Sequence, residues 1–269
     1  MKTFAYDASL CNGCYCCQIA CKDEHVDTDW SPIAKPQPDV GHFWLKLNEV
    51  VRGTVPKVRV NYLPVLCQHC EKAPCMDACT VESAIYRRDD GLIIIDPARC
   101  SGCMDCSDAC PYNVIYFNET SNIAQKCTGC AHLLDNGWSE PRCVDACPNG
   151  ALKFIEETEV REFRNAEHLS PEFKTKPRMY YLNLPGKFIA GTLYDPVIKD
   201  VVEGATCILT DTGSGNEIKT QTDGFGDFWF TNLETGNYDL EIKATGFQIK
   251  SIAHIKTDKD VNLGDIPLK

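Results

Sequence analysis

The stretch CSGCMDCSDACP, Cys100 to Pro111, places four cysteines within eleven residues and closes on proline. Gaps of two, two and three residues separate Cys100, Cys103, Cys106 and Cys110. A disulfide knot, a zinc site and an iron–sulfur cluster are the three things such a stretch can hold. Spacing this close lets one loop wrap three thiolates around a cubane, while the fourth cysteine reaches a neighbouring centre. That fourth residue is expected at the start of a helix leading away. Pro111 suits a helix start, because its missing N–H has no intrahelical partner there.

Three further quartets surround this one. Cys11, Cys14, Cys17 and Cys21 repeat the same gaps, and these two quartets match the bacterial ferredoxin run. Cys67, Cys70, Cys75 and Cys79 open the middle gap to four residues, and Cys127, Cys130, Cys143 and Cys147 open it to twelve. Pro148 stands where Pro111 does, whereas Lys22 and Thr80 fill that place in the other two. The fourth quartet alone also passes for a zinc ribbon, but three cysteines at two-residue gaps are unusual for zinc. Glycine precedes the second cysteine at Gly13, Gly102 and Gly129, where a tight loop with positive φ turns its N–H groups inward. Gln68 and His69 break that pattern.

Eighteen cysteines occur, seventeen of them before residue 148. No basic segment followed by an apolar one opens the sequence, so the expected location is cytoplasmic, or periplasmic only through export with a signal-bearing partner. Disulfides rarely persist in a reducing compartment, which leaves metal ligation as the leading reading. A net charge of −11 argues against a nucleic-acid surface. No apolar run approaches the roughly 18 residues of a membrane span.

Short apolar runs follow three quartets, SAIYR, NVIYF and GALKF, and GLIIID enters the third after the turn signal RDDG. Cluster loops alternating with short strands and helices predict an α+β fold: a duplicated two-cluster ferredoxin over 1–165, with an insertion at 22–66. The insertion either covers cluster edges or docks on a partner. An amphipathic helix is expected around ETEVREFRNAEHL, then an arm over 166–187 punctuated by Pro171, Pro177 and Pro185. From 188 to 269 apolar and polar residues alternate between Gly, Asn and Asp turns, predicting a small antiparallel β-sandwich. Its TDGFGDFWFTNLETGNYDLEIKATGF run resembles the carboxypeptidase-regulatory-like or Cna-B-like sandwich. Such folds do not specify function; a structural or assembly module is the reading, and a carbohydrate role lacks an aromatic platform.

The four quartets together resemble the iron–sulfur electron-transfer subunits of molybdopterin oxidoreductases related to dimethyl sulfoxide reductase. CKDEHVDTDW, GHFWLKLNEVVRGTVP, NYLPVLCQHCEKAPC, AQKCTGCAHLLD and TKPRMYY narrow the likeness to the small subunits of the pyrogallol–phloroglucinol transhydroxylase and resorcinol hydroxylase group. The resemblance implies four [4Fe–4S] clusters with nested quartets. Cluster 1 would take Cys11, Cys14, Cys17 and Cys147, and cluster 2 Cys127, Cys130, Cys143 and Cys21. Cluster 3 would take Cys67, Cys70, Cys75 and Cys110, and cluster 4 Cys100, Cys103, Cys106 and Cys79. It further implies a chain that is not itself an enzyme, in a heterodimer or larger complex. The large partner would carry a molybdopterin guanine dinucleotide with molybdenum or tungsten and act on a phenolic substrate. Transhydroxylase small subunits do not keep every cysteine, whereas all four quartets are complete here. A complete wire fits net electron transfer, as in a hydroxylase or reductive dehydroxylase. The alternative is a free-standing polyferredoxin.

Lys126, beside Cys127, is read either as a cation tuning two clusters or as a solvated lysine. His25, His69 and His132 are read as packing residues near the sulfurs. Cys16 is expected to be a spare buried thiol and Cys207 a strand-core residue.

Overall fold

Short two-stranded ladders connect the cysteine loops, and their pairing defines the architecture. The computed structural model describes residues 1–160, 163 and 165–269. It contains two units: Met1–Glu49 with Tyr62–Leu184, and Val50–Asn61 with Pro185–Lys269. In the first, β1 (Lys2–Asp7) enters the first quartet and α1 (Cys16–His25) carries its last two cysteines. A hairpin of β2 (Leu45–Thr54) and β3 (Lys57–Leu66) leads to Cys67. After α2 (Pro74–Asp77), β4 (Ile85–Arg87) pairs with β5 (Ile93–Ile95), which leads to the third quartet and α3 (Asp105–Asp108). The hairpin β6 (Tyr116–Asn118) and β7 (Ile123–Gln125) leads to the fourth quartet, with α4 (Ala131–Asp135) and α5 (Arg142–Asp145). β8 (Leu152–Glu156) then returns to pair antiparallel with β1.

The β4/β5 and β8/β1 ladders are equivalent. The N–H of Asp96 donates to the Ala84 carbonyl at 2.8 Å, and that of Asp7 to the Ala151 carbonyl at 2.8 Å. Each aspartate stands four residues before a cysteine and accepts a backbone N–H two residues on, from Ala98 at 2.8 Å and Ser9 at 2.9 Å. This Asx turn steers the strand into the cysteine loop. The unit is therefore one two-loop motif used twice, second quartet with third and fourth with first.

The fourth cysteines do not begin helices. The one-turn helices α2, α3 and α5 hold the third cysteine and end before the fourth, whose N–H closes the turn: Cys79 to Met76, Cys110 to Ser107, Cys147 to Val144. Pro111 and Pro148 instead occupy the second position of β-turns closed by Asn113 onto Cys110 and Gly150 onto Cys147, each at 3.2 Å. Proline fixes φ at that position, which is why both signals look alike in sequence. Of the expected helix after β8, α6 covers Glu157–Val160; Arg161, Glu162 and Arg164 lie outside the described residues. A 3-10 turn (Pro171–Phe173) precedes β9 (Met179–Leu182), which runs parallel to β1.

Gly102 has φ +76°, and a Cβ there would lie 2.5 Å from the Asn122 carbonyl oxygen. Gly102→Ala should lower stability by about 2 kcal/mol, combining left-handed strain with that clash. Gly137 has φ +89° with open space around it. In thermal unfolding, Gly137→Ala should therefore show the strain alone and a smaller loss.

The second unit is a two-sheet sandwich. One sheet contains β10 (Lys187–Asp195), β11 (Asp200–Val201), β14 (Asp227–Leu233) and β17 (Val261–Pro267). The other orders β13 (Glu217–Gln221), β12 (Thr206–Asp211), β15 (Asn237–Lys243) and β16 (Lys250–Lys256). Inward residues such as Leu193, Cys207, Leu209, Phe228, Phe230 and Ile242 form its core. β17 pairs parallel with β10, because the backbone changes sheets after β16; the other pairings described in the sandwich are antiparallel. The hairpin tip, 50–61, belongs to this unit. Arg52 holds both Asp260 oxygens at 2.9 and 2.6 Å and the Pro185 and Gly186 carbonyls at 2.8 Å each. Arg59 stacks over Trp229 at 4.8 Å.

Candidate metal centres

The fold gathers sixteen thiols into four sets, each with three cysteines from one loop and one from its ladder partner. Cys11, Cys14, Cys17 and Cys147 line a cavity of about 370 Å³. Cys67, Cys70, Cys75 and Cys110 line one of about 340 Å³, with Lys126 on its wall. Cys79, Cys100, Cys103 and Cys106 line one of about 310 Å³. Cys21, Cys127, Cys130 and Cys143 are all buried. Burial, then the charges of Cys130, Cys21 and Cys127, pushes the Cys143 thiol far up.

Charge acts between neighbouring sets: the first on the second, the third on the second, and the third on the fourth. Burial and the charges of Cys127, Cys130 and Cys17 raise Cys21. Burial and Cys67 push Cys127 up to about 12. Burial, with Cys100, Cys75, Cys103 and Cys79, pushes Cys106 up to about 12. The middle sulfurs are buried, whereas Cys14 and Cys103, in the outer sets, are exposed. Thiols raised this far stay protonated unless a bound cation takes up the thiolate charge.

Backbone N–H groups point at several sulfurs: His69 to Cys67 Sγ at 3.5 Å, Gly129 to Cys127 Sγ at 3.4 Å, Ala124 to Cys100 Sγ at 3.4 Å. His69 has φ +43°, so the second loop keeps the left-handed turn of the three glycines without the glycine. Among the described residues, no three His, Cys, Asp or Glu converge tightly enough for a single metal ion. Four sulfurs on one zinc would stand about 3.8 Å apart. Three of these soft all-thiolate donor sets line cavities instead, which fits a multi-iron cluster.

Lys126 is 2% exposed, so the solvated reading fails. Its ammonium donates to the Ile93 carbonyl and, at 3.1 Å, to that of Cys127, and no described carboxylate pairs with it. The three histidines are buried in polar and aromatic contacts. His25 Nδ1 meets the Cys21 carbonyl at 2.9 Å, His69 Nδ1 accepts the Ile93 N–H at 2.9 Å, and His132 Nε2 meets Glu24 at 3.0 Å. Cys207 is a buried core residue of β12. Cys16 is a correction: it is exposed, because as the first residue of α1 it lies on the helix's outer side, beside Cys14.

The insertion packs on residues beside the cysteine loops, and its hairpin tip belongs to the second unit. Trp30 stacks on His132 at 4.2 Å, Trp44 packs on His25 at 4.6 Å, and Gln125 donates to the Lys35 and Pro36 carbonyls. Sequence reading passed over Asp7 and Asp96, although D-x3-C-x-G-C recurs at both. It also passed over Arg87, which grips the Cys70 and Glu71 carbonyls at 2.7 and 2.8 Å. No local signal marks Arg87, since its partners lie across a turn.

These features define a ferredoxin-type iron–sulfur protein with an appended sandwich. Residues 58–157 match the family model described as a 4Fe-4S dicluster domain, and 189–269 match the carboxypeptidase regulatory-like domain. The sequence is 38% identical over 274 residues to the pyrogallol hydroxytransferase small subunit of Pelobacter acidigallici, covering 97% of each. It is 34% identical to the B subunit of tetrathionate reductase from Salmonella typhimurium, covering 68% of this protein and 72% of that one. It is 35% identical to the B polypeptide of anaerobic dimethyl sulfoxide reductase from Escherichia coli, covering 59% and 75%. The protein belongs to the iron–sulfur small, or B, subunits of the dimethyl sulfoxide reductase family, which are electron-transfer components and not catalytic chains. No helix among the described residues is long and apolar enough to cross a membrane.

Proposed function

We propose that this protein carries four [4Fe–4S] clusters and exchanges electrons with a large molybdopterin subunit, containing molybdenum or tungsten, that acts on phenolic aromatics. The grouping of the thiols into four linked sets carries this reading. The ligands would be Cys11, Cys14, Cys17 and Cys147; Cys127, Cys130, Cys143 and Cys21; Cys67, Cys70, Cys75 and Cys110; and Cys100, Cys103, Cys106 and Cys79. When bound, such clusters supply one-electron carriage. The protein supplies N–H donors to sulfur, buries the middle sets against water, and places Lys126 where its charge offsets nearby thiolates. A buried ammonium without a carboxylate needs such a counter-charge.

The phenolic partner is favoured by the likeness to the pyrogallol hydroxytransferase small subunit, which extends through the sandwich to 97% of this protein. Four complete quartets favour net electron transfer, hydroxylation or dehydroxylation, over redox-neutral transfer between phenols. Anaerobic purification should yield about sixteen irons per chain, reduced-state EPR signals, and a co-purifying large chain with molybdenum or tungsten. A lone chain with full iron would instead establish the free polyferredoxin; zinc without iron would overturn the cluster reading.

A further inference from the structure

The backbone of the second cysteine loop, from Cys70 to Lys72, is taken up from two sides. The arm before β9 accepts its N–H groups: Glu71 donates to the Lys176 carbonyl at 2.9 Å and Lys72 to the Thr175 carbonyl at 3.0 Å. Arg87 takes the carbonyls. Its Nη2 donates to the Cys70 oxygen at 2.7 Å and the Glu71 oxygen at 2.8 Å, and its Nη1 to the Gly91 carbonyl at 3.3 Å. The β4/β5 ladder fixes the origin of this side chain, because Arg87 pairs with Ile93. The Ile93 N–H in turn donates to His69 Nδ1, in the same cysteine loop, at 2.9 Å.

These partners of the half-buried guanidinium are all neutral carbonyls. Among the described residues no carboxylate stands within ion-pair distance of Arg87, and the Glu71 carboxylate is held by Lys176 at 2.9 Å. Arg88, the next residue, is the contrast: Asp90 and Asp135 pair with it at 3.0 and 2.7 Å. The Arg87 charge is therefore left to act on the cavity that Cys70 lines with Cys67, Cys75 and Cys110. Covalent geometry keeps a cysteine sulfur within about 5 Å of its own carbonyl oxygen, which puts Arg87 Nη2 within about 8 Å of Cys70 Sγ. At that distance, and an effective dielectric of about 20, one unit charge shifts an equilibrium by about tenfold or more. We propose that Arg87 raises the reduction potential of the centre held by Cys67, Cys70, Cys75 and Cys110. It is a positioning residue, acting from outside the cavity through its hold on the Cys70 carbonyl. One-electron reduction makes a cluster more negative, and a cation beside a ligand residue favours that state.

This role rests on the reading of Cys70 as a cluster ligand, and the two fail separately. EPR-monitored redox titration of the full chain with its partner is the test. Arg87→Gln should make one centre about tenfold harder to reduce, a fall of about 59 mV for one electron. Its iron content should match wild type, because the arm still holds the loop. Arg87→Lys should keep most of the potential, and Arg88→Gln should change it far less than Arg87→Gln. The sign of the shift tells charge from packing. A loosened loop admits water, which also favours the more negative, reduced state and so raises the potential. An unmoved or raised potential in fully loaded Arg87→Gln overturns the role and leaves the ligand assignment standing. An equal fall in Arg87→Lys or in Arg88→Gln does the same. If Arg87→Gln loses iron, Arg87→Lys decides: a loaded centre near the wild-type potential supports the role, and iron loss or a tenfold fall there overturns it. Full iron in Cys70→Ser with wild-type spectra overturns both the role and the ligand reading.

Discussion

Replacing Cys110 by alanine should remove the centre built on Cys67, Cys70 and Cys75, and spare the one built on Cys100, Cys103 and Cys106. Sequence adjacency suggests the reverse, since Cys110 closes the third quartet. The structure seats it on the cavity of the second loop, and Cys67 is the cysteine whose charge acts on its buried thiol. Cys79 makes the opposite exchange and lines the cavity of the third loop. The β4/β5 ladder enforces both exchanges, because it brings the end of one loop to the start of the other. Iron and labile sulfide should fall by about a quarter in each variant, one cluster of four. EPR then groups the variants: Cys110→Ala should lose the same signal as Cys70→Ala, and Cys79→Ala the same signal as Cys103→Ala. Cys110→Ala grouping with Cys103→Ala would refute the exchange.

Much of this arrangement is written in local spacing. Cysteine gaps, the three glycines and the runs around Ile85, Ile93, Tyr116 and Leu152 each depend on a few adjacent residues, and the strands form there. Features set by distant partners were not legible in the same way. The β8/β1 ladder joins residues such as Lys2 and Glu156, and no window of sequence contains both. The prolines after Cys110 and Cys147 misled because a helix start and a turn use the same fixed φ. KSIAHIK of β16 shows no clear alternation, because most of it is exposed and a bulge interrupts its pairing, which blurs the two-residue period. The hairpin at 45–66 was read only as an insertion, although LKLNEV and KVRVNY alternate as strands do; the cysteines on either side dominated the pattern.

Asp227→Asn should destabilise the sandwich unit by about 3 kcal/mol, more than any other single isosteric change we expect there. Lys57, at the hairpin tip, has a side chain only 4% exposed and pairs with Asp227, which is 24% exposed. Asp227 also accepts the Thr192 hydroxyl at 2.7 Å, so its position is fixed from two sides. Asparagine keeps the shape and an Oδ1 acceptor for Thr192 and Lys57 but removes the negative charge, leaving a buried ammonium without its counter-ion, 5.9 Å from the Trp229 ring. Breaking a buried pair from one side costs about 3–5 kcal/mol, and the partial exposure of Asp227 places this one at the low end. Lys57→Met should cost less, about 1–2 kcal/mol, because the orphaned carboxylate keeps Thr192 and reaches water. The double variant should therefore be more stable than Asp227→Asn alone, since it removes the stranded charge. Hydrogen exchange resolves this by unit: amides of β10 and β14 should open sooner in Asp227→Asn, and iron content serves as the control for the first unit. If Asp227→Asn and Lys57→Met lose equal stability, the buried ammonium is not what the carboxylate serves.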